Sequence, residues 1–280
     1  MQTTLAQTPA TDARHHAAPA GTQAERALAM LRLALQSVLG GAKVAEVIQL
    51  SRRGGLALVE DGAERKVFKL INCQADWKKR WARRVGWNPA RSAQRMSRAL
   101  GAAGVRVCEV ERHGGVNLAQ APRAVWTLSQ YVPQARTLRQ LKLELQPGRM
   151  APAHALIARL YEDALRLLRK IHDAGFEHRD YHAGNLLVAP AGEGDLHSGA
   201  AQIGLVDLET VVARRATHAR RARDLRRFIE NFIEPAGWRA QIDHALAVYA
   251  DGDTALAGRI LATRRMAGLV RLRGVTRAGA

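Results

Sequence analysis

The chain has 280 residues, 47% of them hydrophobic and 24% charged, which suits one large globular domain or two lobes around a cleft. No apolar run reaches the roughly 18 residues needed to span a bilayer, so no membrane-spanning helix is predicted. The net charge of +18 predicts a polyanionic partner, and the aromatic content of 5% disfavours nucleic acid relative to an anionic membrane surface or a phosphorylated substrate.

The N-terminal segment is predicted to be a disordered tail. Residues 1–24 are rich in Thr, Ala, Gln and Pro and lack the charged start and apolar block of a secretory signal. The two cysteines, Cys73 and Cys108, have no metal-ligand spacing, which indicates reduced thiols in a cytoplasmic protein rather than a disulfide framework or a zinc site.

The next part of the chain is predicted to be rich in β-strands. A short helix at 25–40 precedes three β-like runs, and Asp61-Gly62 is a hairpin signal between the last two. We predict an antiparallel meander from these runs, which are Val44–Leu50, Leu56–Glu60 and Arg65–Leu70. Gly54 and Gly55 in the first turn would let the backbone approach nucleotide phosphates, although a full G-x-G-x-x-G pattern is absent.

A basic, helix-prone segment separates this meander from two further predicted strands. It spans 77–103 and breaks at Gly86 and again at Asn88-Pro89, where Asn88 would cap a new helix. The two strands, which would complete a five-stranded sheet, are predicted at Val105–Val110 and Ala124–Leu128.

Candidate nucleotide-binding residues lie in the third run and in the linker between the two halves. Lys69 stands where a third-strand lysine can hold the α- and β-phosphates of a nucleotide. Lys66 is the competing lysine, but a separation of three residues places it on the opposite face of a strand. Gln130 and Val132, in the linker at 129–133, are further candidate cofactor contacts.

The second half is predicted to be mainly helical and contains the most informative stretch. A buried helix at 152–174 leads into an H-R-D triplet that ends at Asp180, and Asn185 follows five residues later. Asp207 comes 22 residues after Asn185, at the end of an apolar, strand-like run. This H-R-D-x-x-x-x-N pattern followed by a metal-binding aspartate is typical of phosphoryl-transfer enzymes.

The chemistry of phosphoryl transfer explains these residue types and spacings. The protein must orient a hydroxyl group and neutralise phosphate charge, so the pattern predicts ATP and Mg²⁺ as cofactors. Asp180 would accept the proton of the substrate hydroxyl, with Arg179 of the triplet as a further catalytic residue. Asn185 and Asp207 would supply the oxygen ligands that a hard cation prefers.

Two features downstream of Asp207 allow a functional and a structural interpretation. Asp224 could hold the catalytic loop, the H-R-D-x-x-x-x-N stretch at 178–185, by hydrogen bonds to the loop backbone. It could instead be a surface residue paired with neighbouring arginines. A cluster of seven arginines could face solvent, or could bind a phosphorylated, membrane-bound acceptor. The members of this arginine cluster are Arg214, Arg215, Arg220, Arg221, Arg223, Arg226 and Arg227.

Over roughly residues 44–232, the chain resembles the lipopolysaccharide core kinase family. The resemblance is carried by the stretch at 178–185, by Leu205-Val206-Asp207-Leu208-Glu209 and by the basic helix with Arg223-Asp224-Leu225. It implies an α+β, bilobal, protein-kinase-like fold. It also implies that a lipid-anchored glycan, the heptose or Kdo of the lipopolysaccharide inner core, is phosphorylated at the cytoplasmic face of the inner membrane.

The chain departs from the family at one position. Kinases of this kind have a glutamate, on the helix after the third strand, that pairs with the lysine. No acidic residue lies between Asp76 and Glu109, and by spacing the position falls at Ala93, with Gln94 beside it. Either Gln94 or an acid from elsewhere in the chain would then orient Lys69, or the lysine would be less constrained and the activity reduced.

Several alternatives stay open from the sequence. A small-molecule kinase of the aminoglycoside or choline type shares the catalytic loop, and a pseudokinase that binds nucleotide or anionic lipid would explain the missing glutamate. A protein kinase is disfavoured because no A-P-E follows Asp207. The predicted organisation is a tail at 1–24, a small lobe at 25–130 and a helical large lobe at 131–280.

Overall fold

A computed structural model describes residues 22–40, 42–119, 121–145, 151–190, 201–232 and 238–275. The strands are β1 (Lys43–Ser51), β2 (Gly54–Asp61), β3 (Glu64–Ile71), β4 (Val110–Leu118), β5 (Ala121–Gln130), β6 (Arg136–Thr137), β7 (Phe176–Glu177), β8 (Leu186–Pro190), β9 (Ala201–Leu205) and β10 (Val212–Ala213). The helices are α1 (Gln23–Leu39), α2 (Trp77–Arg84), α3 (Pro89–Ala102), α4 (Leu138–Glu144), α5 (Ala151–Asp173), α6 (His218–Ile229), α7 (Trp238–Ala250), α8 (Thr254–Leu261) and α9 (Arg264–Val275).

The first five strands form one antiparallel sheet in the order β1-β2-β3-β5-β4. Helix α1 covers one face of this sheet, where Leu31 packs with Phe68, Leu70 and Trp126 in a buried apolar cluster. Alternate residues of β3 point to the other face, so Lys69 lies on the side away from α1. The predicted meander is confirmed, and the sheet with its helices forms the small lobe.

One predicted strand is wrong. Residues 105–109 lie outside the sheet, and β4 begins only at Val110 and runs through a polar stretch that sequence reasoning left unassigned. Because β4 is an edge strand, half of its backbone faces away from the sheet, and polar side chains are tolerated there. Gly114 lets β5 come close, since a Cβ at this position would lie 2.7 Å from the Trp126 ring.

The helix-prone segment divides as predicted. Helix α2 ends before Gly86, and the side chain of Asn88 caps α3 by accepting hydrogen bonds from the backbone N–H groups of Ala90 and Arg91. Helix α3 packs against the 3₁₀ turn Leu208–Thr210, which follows Asp207 directly. The helix therefore joins the small lobe to the site region of the large lobe.

The large lobe is built around α5. Its residues Leu160, Ala164, Leu168 and Ile171 are fully buried and pack with the apolar faces of α3, α4, α6 and α7. Two small sheets, β6-β8-β9 and β7-β10, lie beside this core. In the part of the chain that the structure describes, none of the helices combines the length and hydropathy needed to cross a membrane.

The predicted α+β bilobal fold is confirmed. Of the predicted tail, residues 1–21 lie outside the described residues, and α1 already begins at Gln23. The glycine-rich loop between β8 and β9 also lies outside them. The boundaries of the two lobes at 130 and 131 stay a prediction.

Candidate active site

A hairpin of the large lobe brings two of the predicted site residues together. Strand β8 starts directly after Asn185 and pairs antiparallel with β9, which ends two residues before Asp207. The backbone N–H of Val206 donates to the Asn185 carbonyl at 3.0 Å. The side-chain amide of Asn185 in turn donates to the Asp180 carbonyl at 3.0 Å, so the hairpin is tied to the catalytic loop.

Asp224 anchors the backbone of the catalytic loop. This carboxylate is fully buried on α6, and it accepts hydrogen bonds from the backbone N–H groups of His178 (3.1 Å) and Arg179 (3.3 Å). Burial by itself raises the pKa of Asp224, but hydrogen bonds from His172 and Arg223 outweigh it and lower the pKa well below its ordinary value. The prediction that Asp224 supports the loop is confirmed, and the surface interpretation is wrong.

The backbone is strained at two positions of the site. Arg179 (φ 65°) and Asp207 (φ 58°) both adopt the left-handed conformation, which costs a non-glycine residue roughly 1 kcal/mol or more. Hydrogen bonds around both residues keep them there, and this kind of strain is concentrated at functional sites. The side chain of Arg179 is exposed, so its predicted catalytic role stays a prediction.

Lys69 bridges the two lobes. Its Nζ lies 2.6 Å from Asp207 Oδ1 and 3.2 Å from Glu209 Oε2. Burial lowers the pKa of Lys69, but the charges and hydrogen bonds of Glu209 and Asp207 outweigh it and raise the pKa above its ordinary value. The competing Lys66 lies on the other face of β3, as predicted, and pairs with Glu64 and Glu111.

Glu209 supplies the acid that α3 lacks. Its side chain is only 7% exposed, and it comes from the 3₁₀ turn against which α3 packs. Gln94 does not perform this role, because its amide donates to the Glu111 carbonyl at 2.8 Å instead. Ala93 is buried and has no polar side-chain atom to offer. Of the three predicted possibilities, an acid from elsewhere in the chain is therefore the one observed.

The candidate base Asp180 has two basic neighbours, one imidazole and one guanidinium, that sequence reasoning missed. His182 Nε2 lies 3.7 Å from Asp180 Oδ2, and Arg227 Nη2 lies 2.5 Å from Asp180 Oδ1. The pKa of Asp180 is lowered, first by the His182 imidazole and further by the Arg227 charge, against the opposing effect of partial burial. The carboxylate is therefore ionised at neutral pH, as a proton acceptor must be.

Most of the arginine cluster is paired with acids of this chain. Buried Glu177 is the centre of the largest group, because Arg214 and Arg220 both lie within 3.1 Å of it. Six of the seven arginines take part in ion pairs, in the combinations Arg214–Glu177, Arg220–Glu177, Arg221–Asp173, Arg223–Asp224, Arg226–Glu230 and Arg227–Asp180. The cluster therefore supports the fold around the catalytic loop, and it is not a free basic surface for an acceptor.

The remaining candidate nucleotide contacts have other structural roles. A Cβ on Gly54 would lie 1.9 Å from the Leu70 carbonyl oxygen, so the glycine is needed for β2 to pair with β3. Gly55 is buried against the side chain of Leu31. Gln130 ends β5, and its backbone N–H donates to the Glu109 carbonyl, while half-buried Val132 follows in the link between the lobes. Their contacts with a nucleotide stay a prediction.

The missed residues differ in how much signal the sequence carried. Glu209 is the first acid after Asp207, and the lack of any acid between Asp76 and Glu109 could have directed attention to it. His182 lies two residues after Asp180 and was equally visible in the motif. Arg227 had no such signal, because only the packing of α6 brings it to Asp180.

Comparisons with known proteins indicate a family and a fold that the chain resembles. Residues 134–249, which include the catalytic loop, match the model of the Lipopolysaccharide kinase (Kdo/WaaP) family. No curated protein matches the chain. A solved structure described as WaaP in complex with acyl carrier protein is similar with a TM-score of 0.59 and 18% identity, covering 86% of this chain and 90% of that one. The PknI kinase domain of Mycobacterium tuberculosis gives a TM-score of 0.44 and 15% identity, covering 75% and 73%.

The structural likeness to WaaP concerns the fold, and the family match concerns the segment that carries Asp180, Asn185, Asp207 and Asp224. Residues 134–249 thus match the lipopolysaccharide kinase (Kdo/WaaP) family model, and the chain has a protein-kinase-like fold, which confirms the resemblance and the enzyme class, a kinase, that the sequence predicted.

Proposed function

We propose that the protein transfers the γ-phosphate of ATP to a sugar hydroxyl, heptose or Kdo, of the lipopolysaccharide inner core. The observation that carries the proposal is the ion-paired group of Lys69, Asp207 and Glu209, joined through the β8–β9 hairpin to Asn185 and the Asp180 loop. The family match supports the acceptor class. The reaction would take place at the cytoplasmic face of the inner membrane, where ATP and a lipid-anchored glycan meet.

The donor set fits a magnesium–nucleotide complex. The Asn185 amide nitrogen is used in the hydrogen bond to the Asp180 carbonyl, which leaves its Oδ1 as the atom to offer a cation. Asp207 would supply carboxylate oxygens. No group of three or more His, Cys, Asp or Glu residues forms a metal cluster among the described residues. A kinase site does not require one, since phosphate oxygens and waters complete the coordination of Mg²⁺.

The residues of this chain would divide the work of the transfer. Asp180 would orient the acceptor hydroxyl and take its proton. Lys69 would hold the α- and β-phosphates, and Glu209 would keep its ammonium group in place when Asp207 turns to the metal. Bound Mg²⁺ supplies neutralisation of the phosphate charge.

Phosphate transfer to purified core oligosaccharide tests the proposal. With γ-phosphate-labelled ATP, we expect Asp180→Asn to reduce the rate by roughly 10²-fold or more, since a positioned base contributes that much. Asp163→Asn is the matched control, because Asp163 lies on the exposed face of α5, paired with Arg166. Equal transfer by Asp180→Asn and the unmodified protein would overturn the assignment of a catalytic base.

The pseudokinase alternative loses its main support. It was favoured by the missing glutamate on the helix after β3, and Glu209 supplies a carboxylate to Lys69 from a different element. The choice of acceptor distinguishes the small-molecule kinase alternative from the proposed function. Transfer to an aminoglycoside or to choline, without transfer to core oligosaccharide, would favour it over the proposed function.

A further inference from the structure

Helix α2 presents an apolar stripe to solvent. Trp77 and Trp81 are 67% and 62% exposed, and Val85, just beyond the helix, is 65% exposed. No other large hydrophobic residue in the described parts of the chain is exposed to this extent. The spacing of four residues places the two rings on the same side of the helix. Contiguous exposed apolar surface of this kind marks an interaction site.

The same helix is strongly basic. Its sequence, WKKRWARR, contains five Lys or Arg residues and no acid. Arg80 and Arg84 are exposed, and among the described residues neither pairs with an acidic side chain. This differs from the arginine cluster at 214–227, where six of seven members are in ion pairs. The charges of Arg80 and Arg84 are therefore available to an external anion.

We propose that α2 docks the protein onto an anionic lipid bilayer. Tryptophan rings prefer the interface between lipid headgroups and acyl chains, and Lys and Arg side chains extend their charges to the phosphates. A helix with aromatic residues on one side and basic residues around them has the composition of an interfacial helix. This inference rests on the proposed function in one respect. A kinase with a lipid-anchored acceptor has to work at a membrane.

The position of α2 connects this surface to the active site. The helix packs on the 3₁₀ turn Cys73–Ala75, which follows the strand that carries Lys69. It leads into α3, which packs on the turn that carries Glu209. Docking through α2 would hold the small lobe at the bilayer, so that a lipid-anchored acceptor reaches the cleft without leaving the membrane.

Vesicle sedimentation with the full chain tests the proposal. We expect binding to vesicles of phosphatidylcholine mixed with phosphatidylglycerol, and little binding to phosphatidylcholine alone. Arg80→Gln with Arg84→Gln lowers the partition coefficient roughly tenfold or more, since two charges near the surface are lost. Trp77→Ser with Trp81→Ser lowers it similarly and abolishes a blue shift of tryptophan emission on binding. Added salt weakens the binding because the surface charge is screened.

The matched control is Arg32→Gln with Leu33→Ser, which removes a charge and an exposed apolar side chain from α1. This control should bind vesicles as the unmodified protein does. Unchanged binding by both α2 variants, or no binding by the unmodified protein, overturns the proposal. Loss of an acidic protein partner in the α2 variants, without vesicle binding by any form, would also overturn it and assign the helix to that partner.

The activity assay keeps this result separate from the proposed function. The α2 variants should phosphorylate lipid-free core oligosaccharide at the unmodified rate, because no residue of α2 belongs to the catalytic group. Asp180→Asn should bind vesicles normally and fail in phosphate transfer. A failure of vesicle binding with intact transfer removes only the docking proposal, and the reverse result removes only the kinase proposal.

Discussion

The carboxylate that pairs with Lys69 comes from a different element than in kinases with a glutamate on the helix after the third strand. Here the helix position is Ala93, and Glu209, two residues after Asp207, provides the ion pair at 3.2 Å. The lysine is thus held entirely by large-lobe acids. The contacts that orient the Lys69 ammonium group therefore also join the two lobes.

We expect Glu209→Gln to lower kcat about 10- to 100-fold, because Lys69 loses one of its two charged partners and is less well positioned. The affinity for ADP, measured by calorimetry without metal, should fall as well. Glu111→Gln is the matched control, because it removes the partner of Lys66 on the opposite face of β3. If both variants behave alike, the contact of Glu209 with Lys69 has no special role in nucleotide binding.

Arg227 provides a second prediction at the level of single side chains. Its positive charge lowers the pKa of Asp180, so Arg227→Gln should let that pKa rise toward its ordinary value. The base must be deprotonated to act, and the acidic limb of the kcat/KM profile should therefore move to higher pH. Arg226→Gln, which breaks the neighbouring pair with Glu230, should leave the limb in place. Identical profiles for both variants would contradict the assigned coupling.

At the level of elements, helix α6 is the support of the catalytic loop. Its Asp224 accepts hydrogen bonds from the loop backbone, and its Arg227 forms an ion pair with Asp180. The buried ring of His172 on α5 joins the same group, with Nδ1 2.6 Å from the Tyr249 hydroxyl and Nε2 3.3 Å from Asp224. Three helices and the loop therefore share one buried polar network, and each member is needed to satisfy the others.

Asp224→Asn should destabilise the protein strongly. The change keeps the side-chain volume but removes the nearer charged partner of the Arg223 guanidinium, at 2.8 Å, and breaking a buried pair costs about 3–5 kcal/mol. The free energy of unfolding from denaturant titration measures this cost, and phosphate transfer should fall with it because the loop loses its support. Asp243→Asn breaks the exposed pair with Arg239 and should cost about 1 kcal/mol or less. Similar losses in both variants would argue against the special role of Asp224.

At the level of the whole molecule, a buried histidine makes the stability of the fold decrease in acid. His178 is fully buried, neither of its ring nitrogens has a hydrogen-bond partner among the described residues, and desolvation lowers its pKa from 6.5 to about 4. Asp224 and, further away, Asp207 and Asp180 oppose this shift, while His182 adds to it. Between the two pKa values the unfolded chain binds the proton more readily than the folded chain does.

Stability should therefore decrease as the pH is lowered from about 6.5 to about 4, by up to about 3 kcal/mol from His178 alone. His178→Phe keeps the aromatic contact with Tyr181 and removes the titrating group, so it should flatten this part of the stability curve. The lowered pKa of Asp224 also makes the protein less stable in acid, and this contribution should persist in the variant. Unfolding curves at several pH values provide the measurement, and an unchanged slope in His178→Phe would contradict the assignment.

Much of the architecture could be read from local patterns. The alternation of the first three strands, the Asn88-Pro89 helix start and the stripe on α5 depend on neighbouring residues, and all are observed. Strand β4 could not be read in this way, because an edge strand with polar residues has no periodic apolar signal. Its assignment depends on pairing with β5, which is a tertiary contact.

The amino-acid order alone was enough to identify the catalytic pattern, because Asp180, Asn185 and Asp207 keep their spacing on one loop and one hairpin. The partners of these residues depended on the folded chain. Lys69 meets Asp207 across 138 positions, and the arginines of α6 find acids on β7, α5 and the catalytic loop. Contacts at such separations form only when the elements pack, so the sequence alone does not decide between Glu209 and Gln94 as the partner of Lys69.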